Sequence, residues 1–319
     1  MPTEPDRPAV SVVVVPRERP STSLDSLRSI FENTSYPFEL VYVDCPNRFS
    51  NRDAVRRLVE SRGGTYIRSP KYLYPNEARN LGIDHASPSS EHLVFIDNDV
   101  FVDPGWLEAL VDCADQPDVG VVGPLYLEGD RHARHVHCAG GEISLQESAG
   151  GRPTLYTQQY ELGLPVSELP DLEREPTELI EFHCVLVTRA CLDAIGGEFD
   201  PDLLTTREHV DLCLLARDAG FDVYLEPESR VGYGKEEPMA LTDLPYFLFR
   251  WSDRATRKTI AHFEAKWDVD LDPPRRRIIG VRRAGAVRDV MNRYGLGFVE
   301  PYYLRLRPHV PTKLRPFEA

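Results

Sequence analysis

The sequence predicts an α/β fold, in which a mostly parallel central sheet carries helices on both faces and a C-terminal helical extension follows. Two observations predict it. Short apolar runs alternate with amphipathic helical stretches through the first hundred residues, and this alternation builds right-handed βαβ units around a parallel sheet. The apolar runs are also nearly continuous, as in strands that are buried on both faces.

The first βαβ unit begins at the N-terminus. Residues Val10–Val15 are almost all β-branched and predict a central strand, which Pro16 ends. A hydroxyl residue at 21–23 can cap the helix that follows, whose apolar residues recur at helical spacing over 24–31. These segments predict the first strand and helix.

Two further strands follow with one helix between them. We expect a strand over 38–43 that ends at Asp44, a helix over 52–62 that stops at Gly63-Gly64, and a short strand at Thr65–Arg68. Three strands at this spacing fit a parallel sheet.

The next helix and strand bring polar residues together. A helix over 75–83 should carry Asn76 and Arg79 in an exposed first turn, and the apolar run 93–96 ends at Asp97-Asn98-Asp99. Ligands bind at the carboxyl ends of strands in open α/β sheets, and paired carboxylates there suit a divalent cation held together with phosphate. The alternative is a turn in which these residues only cap and solvate a loop.

The second half of the chain contains a long segment with few helix or strand signals. We expect residues 142–178 to form an irregular loop or lid that recognises the acceptor. A strand over 179–188 follows, with His183 facing the cleft. A helix then begins at Glu208, and its first turn should be exposed.

The predicted domains are 1–235 and a C-terminal helical extension, 236–319. Aromatic residues in the extension are most simply core residues, although Arg250, Trp251 and Asp253 could close over donor or acceptor. Residues 271–319 carry 11 Lys and Arg against 4 Asp and Glu. This basic tail could dock on the acidic body, contact an anionic surface, or pair two copies as a homodimer.

Composition limits the partners and the compartment. The net charge is −14, and the first 270 residues lack a long basic cluster, which argues against nucleic acid. Six cysteines without a CxxC pair suggest buried thiols in a reducing compartment. We find neither a leader sequence nor an apolar run of membrane-spanning length, and we expect a cytoplasmic protein, with peripheral attachment to a membrane left open. The histidines at 132, 135 and 137 with Cys138 match no common closed zinc site.

Seven motifs, in this order, resemble the inverting glycosyltransferases of family 2, with the GT-A nucleotide-sugar fold. They are the opening strand, the strand end at Asp44, the Ala78-Arg79-Asn80 helix, the block 95–107 that resembles the DxD motif, and the segments 136–141, 196–200 and 208–214. The resemblance covers residues 9–235 and implies a Rossmann-like sheet.

The resemblance implies a donor site at the first half of the sheet. Asp99 would bind Mn²⁺ or Mg²⁺ directly, while Asp97 would contact the ribose, or the metal through water, with Asn98 as the tolerated middle residue. Asp44 would accept the N–H of a uracil base, as a carboxylate can.

The other donor-site residues are Pro16, Arg17, Asn76 and Arg79. Pro16 and Arg17 would border the nucleoside through their backbone. Arg79 could pair with a phosphate, although a salt bridge to Asp44 or Asp97 is an open alternative.

Two positions depart from the family pattern. The family has the pattern Glu-Asp-x-Asp, in which the second residue is the general base, and this chain has His209 in that place. Glu208, His209 and Asp211 are the candidates for the general base. Asp211 is more simply a helix cap. Where the family has a further metal-binding His, this chain has Tyr233, which leaves metal dependence open unless Glu236 or Glu237 compensates.

The predicted function is transfer of a sugar from a nucleoside diphosphate sugar, a UDP-sugar first, to a hydroxyl of a glycan, lipid-linked or small-molecule acceptor, with inversion and a divalent metal. One alternative is a degenerate protein that binds a nucleotide sugar or glycan without turnover. A sugar-1-phosphate nucleotidyltransferase is disfavoured, because no Gly-rich loop with a basic residue follows the first strand.

Overall fold

The fold is described from a computed structural model, in which residues 9–46, 51–129, 134–147, 151–233, 239–271 and 278–295 can be described. The basic tail beyond residue 295 lies outside this part of the chain, as do Glu236 and Glu237.

The first half of the main sheet is parallel, as predicted. Its strands are β1 (Val10–Val15), β2 (Glu39–Asp44), β3 (Thr65–Arg68) and β4 (His92–Asp97), in the order β3-β2-β1-β4. The helices between and after them are α1 (Ser23–Asn33), α2 (Arg52–Ser61), α3 (Pro75–Ile83) and α4 (Trp106–Ala114). The bounds of β3 and α3 match the sequence prediction.

The second half of the sheet is mixed. It comprises β5 (Val100–Val102), β6 (Val119–Glu128), β7 (His135–Cys138), β11 (Cys184–Thr188) and β12 (Asp222–Tyr233), with α5 (Arg189–Ala194) and α6 (Glu208–Asp218). Strand β11 runs antiparallel between β4 and β6, while β6 and β12 pair in parallel. The predicted α/β class is confirmed, and the structure adds this antiparallel insertion.

Helices cover both faces of the sheet, because strand residues alternate between two cores. Val12 and Val14 of β1 belong to one apolar cluster, and Val13 and Val15 belong to the other. Helix α3 packs so closely on β1 that a Cβ added at Gly82 would lie 2.1 Å from Val13 Cγ1. This close approach brings the start of α3 to the edge of the sheet.

The expectation of an irregular loop over 142–178 is wrong for its two ends. Strands β8 (Gly141–Gln146) and β9 (Thr154–Gln159) form an antiparallel hairpin, and β10 (Glu175–Pro176) pairs with β12. The hairpin has few apolar residues because β8 leaves most of its side chains partly or fully exposed. Polar edge strands of this kind give a weak sequence signal.

The C-terminal helices pack on the body of the protein, and a short strand between two of them joins β8 and β9 in a separate three-stranded sheet. They are α7 (Leu244–Arg250), α8 (Asp253–Trp267) and α9 (Ile278–Arg293), with the short strand β13 (Asp270–Leu271) paired to β9. Phe263 of α8 shares an apolar cluster with Leu155 and Val210, and Tyr246 of α7 lies in the main core. Among the described residues, none of the helices is long and apolar enough to cross a membrane.

All six cysteines lie within the described residues, and each is buried with a free thiol. Burial raises the pKa of the thiols of Cys45, Cys113, Cys191 and Cys213 to about 12. The expectation of buried thiols is confirmed.

A thiol reagent should therefore distinguish the folded from the unfolded chain. At pH 8 we expect no cysteine of the native protein to react with a bulky disulfide reagent within minutes, and all six to react in denaturant, because reaction needs an accessible thiolate. The release of the coloured thiol measures this. Rapid reaction of one equivalent before unfolding would contradict the buried assignment.

Candidate active site

The three polar residues that end β4 are buried. Asp97, Asn98 and Asp99 expose 0%, 3% and 4% of their surface. The Asp97 N–H donates to the His183 carbonyl at 2.9 Å, and the Asn98 N–H donates to the Val15 carbonyl at 2.9 Å. The backbone therefore fixes these acids between the ends of β1 and β11, and they do not solvate a surface turn.

The loop after β1 wraps the same residues through its backbone. The N–H of Arg17 donates to Asn98 Oδ1 at 2.8 Å, and the N–H of Arg19 donates to Asp99 Oδ2 at 3.1 Å. The Asn98 amide donates in turn to Ser23 Oγ at 2.9 Å. Pro16 lies against the C-terminal helices, since its carbonyl accepts from the Tyr246 hydroxyl at 3.3 Å. The first strand and the DxD-like residues thus form one unit.

Two oxygens of the acid pair remain without a hydrogen bond. Asp97 Oδ1 and Asp99 Oδ1 are both buried, and neither accepts a hydrogen bond from the described residues. Burial, and then the neighbouring Asp97, raises the pKa of Asp99 to about 7. Buried carboxylate oxygens of this kind are the ligands that Mg²⁺ and Mn²⁺ prefer. The residues present fit a divalent cation.

Asp97 is surrounded by basic groups. Arg17 Nε lies 3.2 Å from Asp97 Oδ2, and that oxygen also accepts from His183 Nδ1 at 3.0 Å. Burial disfavours charge on Arg17, but Asp97 and Glu18 outweigh it and raise the pKa of its guanidinium. Burial also raises the pKa of Asp97, although the positive charges of Arg17 and Arg79 act to lower it.

Arg79 is fully buried, so the expectation of an exposed first turn in α3 is wrong. Its guanidinium lies 3.7 Å above the Phe182 ring, donates to Asn76 Oδ1 at 2.9 Å, and is 3.9 Å from Asp97 Oδ1. Asn76 donates to the Asp200 carbonyl at 2.9 Å. The turn is buried because residues 182 and 199–200 cover it, and burial lowers the pKa of Arg79 to about 10.

Asp44 ends β2 at the same edge of the sheet. Its carboxylate accepts from the Tyr66 hydroxyl at 2.7 Å and lies 3.4 Å from Arg52 Nε. Burial raises the pKa of Asp44 despite these partners. The next residue, Cys45, faces the core, where its sulfur accepts from the Leu73 N–H at 3.4 Å.

The first turn of α6 is also less exposed than expected. Glu208 is buried 3.4 Å from the buried Arg250, and His209 is half-buried with Nε2 3.9 Å from Glu181 Oε1. Asp211 is not a helix cap, since its carboxylate accepts from Lys266 and from Trp267 Nε1 at 2.8 Å. The C-terminal helices α7 and α8 supply these partners and cover the turn.

Several residues at this edge of the sheet were not predicted from the sequence. Glu181 is one, although Glu181 and His183 are two apart, the spacing at which extended residues share a face. Trp251, for which closure over a ligand was the alternative to core packing, donates to Glu18 Oε1 at 2.8 Å beside the loop after β1. Glu18 and Arg19 showed no distinguishing signal in sequence.

Tyr233, the departure from the family histidine, lies in the same region. It pairs with Val100 across β12 and β5, one residue after Asp99. Its ring stacks on His183 with centroids 4.3 Å apart, and its hydroxyl is 3.4 Å from His137 Nδ1. The position of the family histidine is thus occupied by a tyrosine that makes aromatic contacts.

Comparison with known proteins supports the predicted family. The model of the family described as "Glycosyl transferase family 2" matches residues 11–155. The uncharacterized protein y4gI of Sinorhizobium fredii is 24% identical over 266 residues, which are 82% of this chain and 28% of that protein. The O-antigen biosynthesis protein RfbC of Myxococcus xanthus is 26% identical over 230 residues, 70% of this chain and 17% of that protein. This chain therefore spans less than a third of the length of these relatives.

Among solved structures, the fold resembles that of GalNAc-T7, crystallised with UDP, GalNAc and Mn²⁺. The TM-score is 0.53 at 17% identity, over 72% of this chain and 43% of that chain. At this identity the likeness concerns the fold, and the predicted GT-A fold is confirmed. The segment that matches the model of glycosyl transferase family 2, residues 11–155, lies within this fold.

Proposed function

We propose that this chain transfers a sugar from a UDP-sugar to a hydroxyl group of an acceptor, with inversion and with the aid of Mn²⁺ or Mg²⁺. One observation carries the proposal. Two buried carboxylate oxygens, one on Asp97 and one on Asp99, lack hydrogen bonds at the carboxyl edge of the sheet. A divalent cation shared with a diphosphate would satisfy both.

Asp99 would bind the cation directly, and Asp97 would lie beside it or bind through water. When bound, the cation neutralises the charge that grows on the departing diphosphate. Unit charges about 4 Å apart interact by roughly 4 kcal/mol at an effective dielectric constant of 20. GalNAc-T7, which has the same fold, was crystallised with UDP and Mn²⁺, and this favours the same pair here.

The nucleoside would bind near the end of β2. A cavity of about 380 Å³ lies beside Pro46, two residues after Asp44, and is lined by Tyr72 and Pro245 among others. Its volume falls within the range of small-molecule sites. Asp44 would accept from the base, while Arg17 and Arg79 would supply positive charge near the phosphates.

His209 is the general base that the geometry favours. Glu208 is paired with Arg250 at 3.4 Å, and Asp211 is bound by Lys266 at 2.9 Å. His209 is less buried, and Glu181 lies 3.9 Å from its Nε2. The imidazole would take the hydroxyl proton as the acceptor oxygen bonds to the anomeric carbon and the bond from that carbon to the diphosphate breaks.

The acceptor would bind on the side of the β8–β9 hairpin and His183. The relative RfbC is named for O-antigen biosynthesis, which favours a glycan acceptor over a small molecule. A second candidate function is binding of a nucleotide sugar without turnover. The pairing of Glu208 with Arg250 favours it, because a carboxylate held in this way is a poor base.

Nucleotide binding tests the donor site. In a thermal-shift panel of UDP, GDP, dTDP and CDP with and without Mn²⁺, we expect UDP with Mn²⁺ to give the largest shift. A ligand at 100 times its Kd stabilises the fold by about 2.7 kcal/mol. Asp99→Asn should remove most of the Mn²⁺-dependent part, because it removes a charged ligand.

The matched control is Asp193→Asn, which makes the same change at an exposed residue of α5. It should leave the shift unchanged. An Mn²⁺-dependent shift that survives Asp99→Asn intact would refute the metal assignment, and no response of the wild type to any of the four nucleotides would refute the donor site.

Turnover tests the base. With UDP-sugar and glycan acceptors, release of free UDP should fall about 10²–10⁴-fold in His209→Gln, because the hydroxyl loses its proton acceptor. The control His85→Gln alters an exposed histidine at the end of α3 and should keep wild-type turnover.

The pattern of loss separates the alternatives. Loss in Glu208→Gln with normal turnover in His209→Gln would move the base to Glu208, and normal turnover in both variants would reject both. Binding of UDP with Mn²⁺ but no UDP release with any acceptor would favour the binding protein.

A further inference from the structure

We propose that His137, Glu181 and His183 form a second metal site, separate from the Asp97 and Asp99 carboxylates, that binds a transition-metal dication such as Zn²⁺. The proposal does not depend on the transfer reaction. It concerns a different set of donor atoms, and it can be tested without nucleotide.

The three side chains converge from two parts of the chain. His137 belongs to β7, while Glu181 and His183 lie just before β11. One potential ligand atom from each lies within 4.8 Å of the other two. Two imidazoles and one carboxylate make the donor set that binds Zn²⁺ in many catalytic sites, with the fourth position open.

The hydrogen bond that His183 makes orients its ring as a metal ligand. Its Nδ1 donates to Asp97 Oδ2 at 3.0 Å, which leaves the lone pair of Nε2 for a metal. Metal-binding histidines usually donate their other N–H to a carboxylate or carbonyl in this manner.

The other two ligands are also oriented by neighbours. His137 Nδ1 lies 3.4 Å from the Tyr233 hydroxyl and 3.5 Å from Glu128 Oε2. Glu181 Oε1 accepts from Gln159 Nε2 at 2.6 Å. Each proposed ligand therefore has a second partner that fixes its orientation, as metal sites require.

A second cluster in the described residues shows the contrast. Asp200, Asp202 and His262 also lie close enough to share an ion. There, however, Lys266 lies 2.9 Å from Asp200 and Lys258 lies 2.7 Å from Asp202, so ammonium groups already neutralise the carboxylates.

Among the described residues, no lysine ammonium group forms an ion pair with the proposed ligands. In the described part of the chain, the ion pair of Glu181 is with His209. The nearby Arg17 is directed to Asp97 at 3.2 Å. The His137 cluster is thus the one with donor atoms left for a cation.

The donor atoms also select the metal. Imidazole nitrogen suits Zn²⁺, Co²⁺ and Ni²⁺ better than Mg²⁺, whereas the carboxylates of Asp97 and Asp99 suit Mg²⁺ and Mn²⁺. We therefore expect the two sites to differ in their preferred cation.

The test uses the full chain, freed of metal with a chelator and titrated with Zn²⁺ by calorimetry in the absence of nucleotide. We expect the wild type to bind one equivalent. His137→Gln and Glu181→Gln should each weaken Zn²⁺ binding by at least about 100-fold, because loss of a direct ligand exceeds the 10–100-fold effect of losing an outer partner.

Two controls locate the ion. His262→Gln alters the other cluster and should keep wild-type affinity, and Asp99→Asn should keep it too. The absence of Zn²⁺ binding by the wild type would overturn the proposal. Loss of Zn²⁺ binding in Asp99→Asn, together with its retention in His137→Gln, would also overturn it, by assigning the ion to the acids.

Circular dichroism checks that each variant is folded. If His137→Gln fails to fold, Co²⁺ bound to the wild type decides instead. Intense visible absorption, as expected for four-coordinate Co²⁺ with nitrogen ligands, supports the site, and the weak spectrum of six-coordinate Co²⁺ contradicts it. Neither readout involves UDP or turnover, so failure here leaves the proposed function standing, and the reverse also holds.

Discussion

The site depends on a carboxylate that is buried among basic groups. Asp97 exposes none of its surface, and a buried ion costs several kcal/mol unless it is paired. Arg17 at 3.2 Å and the His183 N–H at 3.0 Å compensate one oxygen, while Arg79 stays 3.9 Å from the other. One carboxylate oxygen of Asp97 therefore accepts no hydrogen bond, and the same is true of one oxygen of Asp99. We propose that a cation bound at this edge of the sheet interacts with these two oxygens.

The fold positions the charged groups by bringing the ends of several strands to the same edge of the sheet. Val15 pairs with Asp97 in the register of β1 and β4, so the loop after β1 begins where the acids lie. The antiparallel strand β11 starts at the same edge and supplies His183 from the other side. Close packing of α3 on β1 at Gly82 lets Arg79 reach the acids from the helix. Backbone pairing therefore positions the charges, and the side chains need little adjustment.

Local pattern predicted much of this arrangement. The strands β1 and β3, helix α3 and the acids after β4 follow from apolar runs and their abrupt ends, which depend on neighbouring residues in the sequence. The burial of Glu208 and Asp211 could not be predicted, because their partners Arg250 and Lys266 come from helices about 40 to 55 residues later. The β8–β9 hairpin was not predicted because its strands carry many polar residues and lack a strong apolar pattern. Glu181 had a usable signal in its spacing from His183, but its significance depended on a contact with His137 that only the fold creates.

The central claim is that Asp99, with Asp97 beside it, binds a cation that bridges to a diphosphate. Anomalous diffraction at the manganese edge, from crystals of the full chain with UDP and Mn²⁺, measures this directly. The account predicts an anomalous peak about 2.2 Å from a carboxylate oxygen of Asp99 and a similar distance from a phosphate oxygen of UDP. A peak elsewhere on the protein, or UDP bound at this edge with no manganese against Asp99, would contradict it.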